Sequence, residues 1–160
     1  MRLELRLQGP RLTLTALSAE ELEQIRCAPE DEDARAYFVE RLRDDPDALG
    51  WWSWLAELQD GEQVGGGGFF GRPGPDRRLT VGYGIHEQHR CRGYATEVLT
   101  LLTDWALAGP DVDVVRATIT PDNVASIRVA EKVGFTASGE RVHNDEDGEL
   151  IVFERRRRES

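Results

Sequence analysis

Arg90-Cys91-Arg92-Gly93-Tyr94-Ala95 is the stretch whose reading decides the fold. Upstream of it, Leu79, Val81, Tyr83 and Ile85 alternate with Thr80, Gly82 and Gly84, the period-two pattern of a strand with one apolar face. Downstream, Ala95, Val98, Leu99, Leu102, Trp105 and Ala106 recur at helical spacing. A strand, a short basic glycine turn and a helix leave free backbone N–H groups at a helix N-terminus. Such groups favour an anion, most often a phosphate. Gly93 lets the backbone approach a ligand closely, and Arg90 and Arg92 add positive charge. Taken alone, so short a pattern also fits a plain turn with solvated arginines, so the rest of the chain must decide.

Towards the N-terminus, Leu12, Leu14 and Ala16 predict a first strand. Ser18 with Glu21 three residues on is a capping box, and the helix it starts should run to about Cys27, with Pro29 closing it. Residues 30–33 read as an acidic link. A second helix is expected over residues 34–43, where Phe38 and Leu42 lie one turn apart, and Asp44-Asp45-Pro46-Asp47 stops it. Residues 50–58 read as a strand, with Trp52, Trp54, Ala56 and Leu58 on one face and Trp51, Ser53, Leu55 and Glu57 on the other. Core packing accounts for the tryptophans. The other role open to them is an aromatic wall for a substrate, for which Trp51 is the better placed.

Asp60-Gly61 marks a hairpin turn and residues 64–70 the next strand. Its Gly65-Gly66-Gly67-Gly68 run is no nucleotide loop, because no Lys-Ser/Thr follows and the dinucleotide spacing is missing. Glycines inside a strand mark a bulge or a close backbone approach. A polar loop over residues 71–78 makes this strand antiparallel to the one ending at Ile85. Beyond the central helix, Gly109-Pro110 is a stop, and Val112, Val114 and residues 116–119 form a further strand. Asp122 or Asn123 caps a short helix that ends in a left-handed Gly134, with Phe135 folded back on the core. Residues 135–143 and 149–156 make a final strand pair around residues 144–148. Arg155 to Arg158 read as a solvated basic tail.

A chain of 160 residues is most simply one domain, 1–160, of which 155–160 would be the tail. Hydrophobic and charged contents of 39% and 31% fit a globular protein rather than a disordered or membrane chain. No apolar run approaches the length of a membrane span and no signal-peptide core opens the chain, so no membrane partner and a cytoplasmic location are expected. Cys27 and Cys91 make neither a disulfide framework nor a metal-ligand cluster, so no metal is expected. The formal net charge of −10 argues against a nucleic-acid partner and is compatible with a cationic substrate such as an amine.

Arg90, Gly93 and Ala95 meet a pattern of Gln or Arg, two residues, Gly, one residue, then Gly or Ala. In this the stretch resembles the acyl-CoA pyrophosphate loop of the GNAT acetyltransferase superfamily. A second segment, with Asn123, Ser126, Lys132, Gly134 and Phe135, resembles the asparagine, serine, helix, Lys-x-Gly-Phe ending of the same proteins. It is closest to the branch that includes ribosomal-protein alanine N-acetyltransferases. Gly82-Tyr83 and Leu12-Thr13-Leu14 fit that branch too, and the resemblance runs through nearly the whole chain in order.

The resemblance implies an α/β (α+β) fold: a mixed, mostly antiparallel, twisted sheet with helices on both faces. Its central strands would splay apart between residues 80–85 and 114–119, and the gap would take the pantetheine arm. The implied reaction is acetyl transfer from acetyl-CoA, as cosubstrate, to a primary amine on a peptide N-terminus or a small molecule. Arg90, Cys91, Arg92, Gly93, Tyr94 and Ala95 would hold the pyrophosphate. A backbone N–H near Ile85 would face the oxyanion, and Asn123 would touch pantetheine. Ser126 would stand near the thioester sulfur as the catalytic candidate. Asn123 also reads as a helix cap and Ser126 as a further first-turn hydrogen bond. A homodimer is compatible with the sequence.

At two positions the chain departs from better-known members. Thr80 stands where many carry a glutamate base, and Ala130 where many carry a tyrosine acid. A thiolate whose acid has a pKa of about 8.5 leaves tolerably without a strong acid. The attacking ammonium must still lose a proton, and Glu87, His86, His143 and Glu149 are the unranked candidates for that step. The rival reading is a domain that binds acyl-CoA without turnover, as a sensor or regulator.

Overall fold

The computed structural model describes residues 5–25 and 32–157. In chain order they form β1 (Arg6–Gln8), β2 (Leu12–Ala16), α1 (Ala19–Gln24), α2 (Glu32–Asp44), β3 (Ser53–Leu58), β4 (Gln63–Phe69) and β5 (Arg78–Ile85). Then follow α3 (Tyr94–Ala108), β6 (Val114–Ile119), α4 (Val124–Val133), β7 (Thr136–Asn144) and β8 (Gly148–Arg156). The strands lie side by side in the order β1-β2-β3-β4-β5-β6-β8-β7. Neighbours are antiparallel except β5 and β6, which are parallel and are joined through α3. The expected mixed, mostly antiparallel sheet is the observed one.

Side-chain alternation sets what each face of the sheet buries. Trp54 and Ala56 of β3, Val81 and Ile85 of β5, and Val115 of β6 join Val98, Leu99 and Leu102 of α3 and Val133 of α4 in the larger core. On the opposite face, Leu55 and Trp52 pack against Leu17, Leu22, Phe38, Val39 and Leu42 of the α1–α2 layer. Helices thus cover both faces, and a one-residue slip of β3 would exchange the two cores.

Local signals explain most element ends. Ser18 Oγ accepts from Glu21 N at 3.2 Å while Glu21 Oε1 accepts from Ser18 N at 3.1 Å, closing the capping box. The helix ends at Gln24, and the expected stop around Cys27 and Pro29 lies outside the described residues. Glu32 and Asp33, expected in a link, form the first turn of α2, where carboxylates suit the positive end of the helix. At the other end of the fold, Gly134 closes α4 at φ 99° and Phe135 is buried behind it. β1 was not expected. Its three residues are too few for a period to show, and pairing with β2 supplies what patterning does not.

The splay is visible in the register. β5 and β6 pair only at Arg78–Val114, Leu79–Val115 and Thr80–Arg116. Past Thr80, β5 stays with β4 as far as Ile85, and β6 stays with β8 as far as Ile119. Each strand keeps its outer partner, so a gap opens between them.

The C-terminal arginines correct the expected tail. Arg155 and Arg156 belong to β8. Arg155 pairs with Asp104 of α3 at 2.8 Å, and Arg157 donates to the carbonyls of Gly109 and Val112. A stretch that looks like solvated charge therefore ties the last strand to the end of α3. Residues 158–160 lie outside the described residues.

Candidate active site

The loop between β5 and α3 has an unusual backbone. His86 N–H donates to Val64 O at 2.8 Å, and a single 3-10 turn follows at Glu87–His89. Cys91 then takes φ 64° and Gly93 φ 84°. Two left-handed residues in so short a stretch make a tight turn, the kind of backbone from which anion-binding concavities are built. Cys91 is the costly one, since a residue with a Cβ is disfavoured there, and such strain gathers at functional sites. The helix begins at Tyr94 with no side-chain cap, which leaves its first amides for a ligand. Cys91 is exposed and free. Arg90 Nε donates to Ile85 O at 3.0 Å, so this arginine braces the loop onto the end of β5.

A brace that sequence reading missed comes from Arg11, just before β2. Arg11 donates from Nη1 to Arg92 O at 2.7 Å and from Nε to Glu97 Oε1 at 3.1 Å. Its guanidinium carbon lies 4.6 Å from the centre of the Tyr94 ring. Glu97 also accepts from the backbone N–H of Arg11 at 3.0 Å and of Leu12 at 2.7 Å. One carboxylate on the first turn of α3 thus fixes the strand, and the arginine before the strand fixes the loop. A Cβ on Gly93 would stand 3.0 Å from Arg11 Nη2, so a side chain there would push the bracing arginine as well as strain the backbone at φ 84°.

The gap continues the site. Since His86 N–H points to β4, strand alternation turns the N–H groups of Val81, Tyr83 and Ile85 the other way, towards β6. Past Thr80 no β6 partner meets them, so Ile85 lies on an open strand edge. From the far side comes the start of α4. Asn123 Oδ1 accepts from Ser126 N at 3.2 Å, so Asn123 rather than Asp122 is the cap. Ser126 is half-buried beside the Tyr83 hydroxyl, which is buried without a hydrogen bond of ordinary geometry. Burial raises the Tyr83 phenol above its usual value near 10, and the neighbouring Ser126 hydroxyl lowers it less. The two groups come from strand and helix 43 residues apart and meet across the gap.

On the other side of the sheet a cleft of about 860 Å³ runs from Glu87 and Arg90 to the aromatic side chains Phe38, Trp52 and Phe70. Trp51, expected as the better wall, is a core residue. Its ring packs 4.9 Å from Trp105 and 6.0 Å from Phe69. Trp52 lines the cleft instead. The regular strand begins only at Ser53, so alternation does not reach back to either tryptophan. The glycine run has a plain packing reason: a Cβ on Gly68 would fall 1.7 Å from Trp52 O.

The four proton-acceptor candidates separate. His86 and Glu87 line the cleft. His143 and Glu149 face each other across the β7–β8 hairpin, outside that lining, and Glu149 is paired with Arg141 at 3.1 Å. Thr80 lies half-buried beside Arg116, whose Nε is 3.4 Å from the buried carboxylate of Glu154. Ala130 is buried in the core. Among the described residues no group of three His, Cys, Asp or Glu side chains is placed to hold a metal, and no helix is long and apolar enough to cross a membrane.

Comparison with known proteins agrees with this architecture. Residues 9–136 match the family described as acetyltransferase (GNAT) domain. Uncharacterized N-acetyltransferase YjdG of Bacillus subtilis is 35% identical over 104 residues, which are 64% of this chain and 62% of that protein. The ribosomal-protein-S5-alanine acetyltransferase of Vibrio fischeri superposes with a TM-score of 0.72 at 13% identity, covering 96% of this chain and 97% of that one. RimL, a ribosomal L7/L12 alpha-N-protein acetyltransferase solved in complex with coenzyme A, gives 0.74 at 16% identity, covering 95% and 98%. At such identities the two structures speak for the fold alone.

Proposed function

Since the chain belongs to the GNAT acetyltransferase family, we propose that it transfers an acetyl group from acetyl-CoA to a primary amine. The observation that carries this reading is one continuous path from an anion-ready helix start to an open strand edge. The amides of Cys91, Arg92, Gly93, Tyr94 and Ala95, with the Arg90 and Arg92 side chains, would hold the diphosphate. The β5 edge at Tyr83 and Ile85 and the Asn123 side chain would hold the pantetheine arm. Bound there, acetyl-CoA supplies an activated carbonyl and a thiolate leaving group. Such a reaction belongs in the cytoplasm.

The remaining work falls to the chain's own residues. The Ile85 N–H is a fixed donor for the oxygen on which negative charge develops. The Ser126 hydroxyl steadies the sulfur, and Tyr83, kept neutral by burial, lies behind it as a second donor. Thr80 cannot take a proton, so the ammonium is deprotonated by solvent, with His86 and Glu87 among the groups that line the cleft. A peptide N-terminus and a small-molecule amine both suit this chemistry. The names of the Vibrio fischeri protein and of RimL lend weight to the former.

Thiol release from acetyl-CoA tests the reading. The rate should rise with pH and follow the pKa of each amine supplied. An α-amine and a lysine-like amine differ by about 2.5 pKa units, so at pH 7 their neutral fractions differ roughly 300-fold. A shared enzyme pKa, erased by replacing His86 or Glu87, would show a dedicated base and overturn the solvent route. The absence of a side-chain base at Thr80 and of an acid at Ala130 favours one rival, an acyl-CoA sensor. Excess CoA at 100 times its Kd should stabilise either protein by about 2.7 kcal/mol. Only the enzyme releases thiol.

A further inference from the structure

One wall of the cleft lies apart from the residues assigned above to acetyl-CoA. Phe38 of α2, Trp52 before β3 and Phe70 after β4 meet there. The ring centroids of Phe38 and Trp52 are 5.7 Å apart and those of Phe38 and Phe70 are 6.4 Å apart. Phe70 is 61% exposed, and Tyr37, whose ring lies 5.9 Å from Trp52, is 48% exposed. These are two of the four large apolar side chains left exposed among the described residues, and each has its ring near that of Phe38, at 6.0 Å for Tyr37 and 6.4 Å for Phe70. Exposed aromatic surface gathered at a cleft marks a binding surface.

The floor beside the wall is bare backbone. Gly82 pairs with Gly68, which pairs with Ser53, and in the next row Gly84 pairs with Gly66, which pairs with Leu55. Alternation puts these rows on the α1–α2 face of the sheet. A Cβ on Gly84 would meet nothing within 4 Å, so the cleft is open above it. A Cβ on Gly82 would touch the Phe70 ring at 3.4 Å, so that ring lies over the strand next to the open edge. The described charged side chains lining the cleft are Arg35, Arg90 and Glu87, two cations to one anion. With Arg90 committed to the loop, the described lining leaves Arg35 beside a single carboxylate, Glu87, which is too little for a polyamine, whose charges need several carboxylates, and suits a body that is flat and uncharged apart from its amine.

We propose that the acceptor is an amine carried on an aromatic group, seated between the Phe38–Trp52–Phe70 wall and the glycine floor with its nitrogen directed towards Ile85. The identity of the acceptor rests on the acetyl-transfer reading; the aromatic site itself does not. The aromatic group has two sources, a free arylalkylamine or the first residue of a peptide, and the experiment separates them.

Calorimetry on the full chain saturated with CoA, titrated with 2-phenylethylamine, n-butylamine and spermidine, measures the site without turnover. Thiol release with the same amines and acetyl-CoA measures the reaction. The expected result is 2-phenylethylamine bound and used at least roughly tenfold better than n-butylamine or spermidine, the scale of one ring–ring contact plus its buried area. Phe70→Ala, an exposed change that the fold tolerates, should lose most of that preference while moving n-butylamine less than about twofold. Trp52→Ala should act in the same direction. Peptides Phe-Gly-Gly and Ser-Gly-Gly add the second source: preference for Phe-Gly-Gly over Ser-Gly-Gly and, with each amine corrected to its neutral fraction, over 2-phenylethylamine assigns a peptide. Equal binding of the three amines, or an equal loss for all of them in Phe70→Ala, overturns the proposal. Aromatic binding without thiol release keeps the site and removes acetyl transfer. Thiol release fastest with spermidine keeps acetyl transfer and removes the aromatic acceptor.

Discussion

The loop at residues 90–95 and the aromatic wall at the other end of the cleft are built in opposite ways. The loop is contiguous in sequence, takes two left-handed residues, and is held by Arg11 and Glu97. The wall is assembled from α2 and from the segments flanking β3 and β4, and Phe70 in it and Tyr37 beside it stand exposed. A ligand part common to a whole family needs fixed donors, and a short rigid motif supplies them. An acceptor that differs between relatives needs a surface that changes one side chain at a time. If that contrast is right, damage to the loop should abolish binding outright, whereas damage to the wall should shift preference.

The harshest test is Gly93→Val. The position needs φ 84°, and a side chain there also crowds Arg11 Nη2, which braces the loop. CoA affinity should fall beyond detection, with the CoA-induced rise in Tm gone and the far-ultraviolet circular dichroism unchanged. Wild-type affinity in a folded variant would take the loop out of the site. Arg11→Met comes next and sharpens the comparison. It should weaken CoA roughly tenfold, since it removes two hydrogen bonds to charged or loop partners. It should leave the KM for acetyl-pantetheine, which lacks the diphosphate, where it was. An equal rise for both cosubstrates would mean that Arg11 only supports the sheet.

Smaller effects are expected at α4. Asn123→Ala should lower stability by about 0.5–2 kcal/mol through the lost cap. If the side chain also touches pantetheine, the KM for acetyl-CoA rises as well; a stability loss with unchanged kinetics leaves it a cap alone. Ser126→Ala should lower kcat about two- to tenfold, the range of one hydrogen bond. The smallest effect belongs to the surface pairs. Arg72 holds the exposed Asp45 carboxyl below its usual value, and Arg77 does the same for Asp113. A carboxyl lowered by folding adds stability that is present above pH 3.8 and is lost as pH falls through its lower folded value. Asp113→Asn should therefore lower Tm slightly at pH 7, and the gap from wild type should close only below pH 3.8. CoA affinity at pH 7 should not move. A gap that closes near pH 6 would point to another group.

How far the sequence could be read follows the same division. β5 and α3 carry their own period, α4 carries its own cap and glycine stop, and each lies within a residue or two of its expected bounds. The error about the tryptophans came from extending strand alternation back through Trp51 and Trp52, where the chain is still turning. The basic tail was misread because composition alone cannot show that Asp104 and the carbonyls at the end of α3 wait for it. Neither strand number nor pairing order was legible for β1, which exists only against β2.

By itself the sequence determined the strand–loop–helix at residues 78–108 and the capped helix at residues 123–134. Local hydrogen bonds, propensity and glycine conformation need only near neighbours. Tertiary structure alone decided where β5 and β6 part, which tryptophan meets the cleft, that Tyr83 lies against Ser126, and that Arg11 reaches a loop carbonyl 81 residues away. Those are contacts between distant segments, and only the sheet order fixes them, by setting β2 beside the start of α3 and α4 across the open gap.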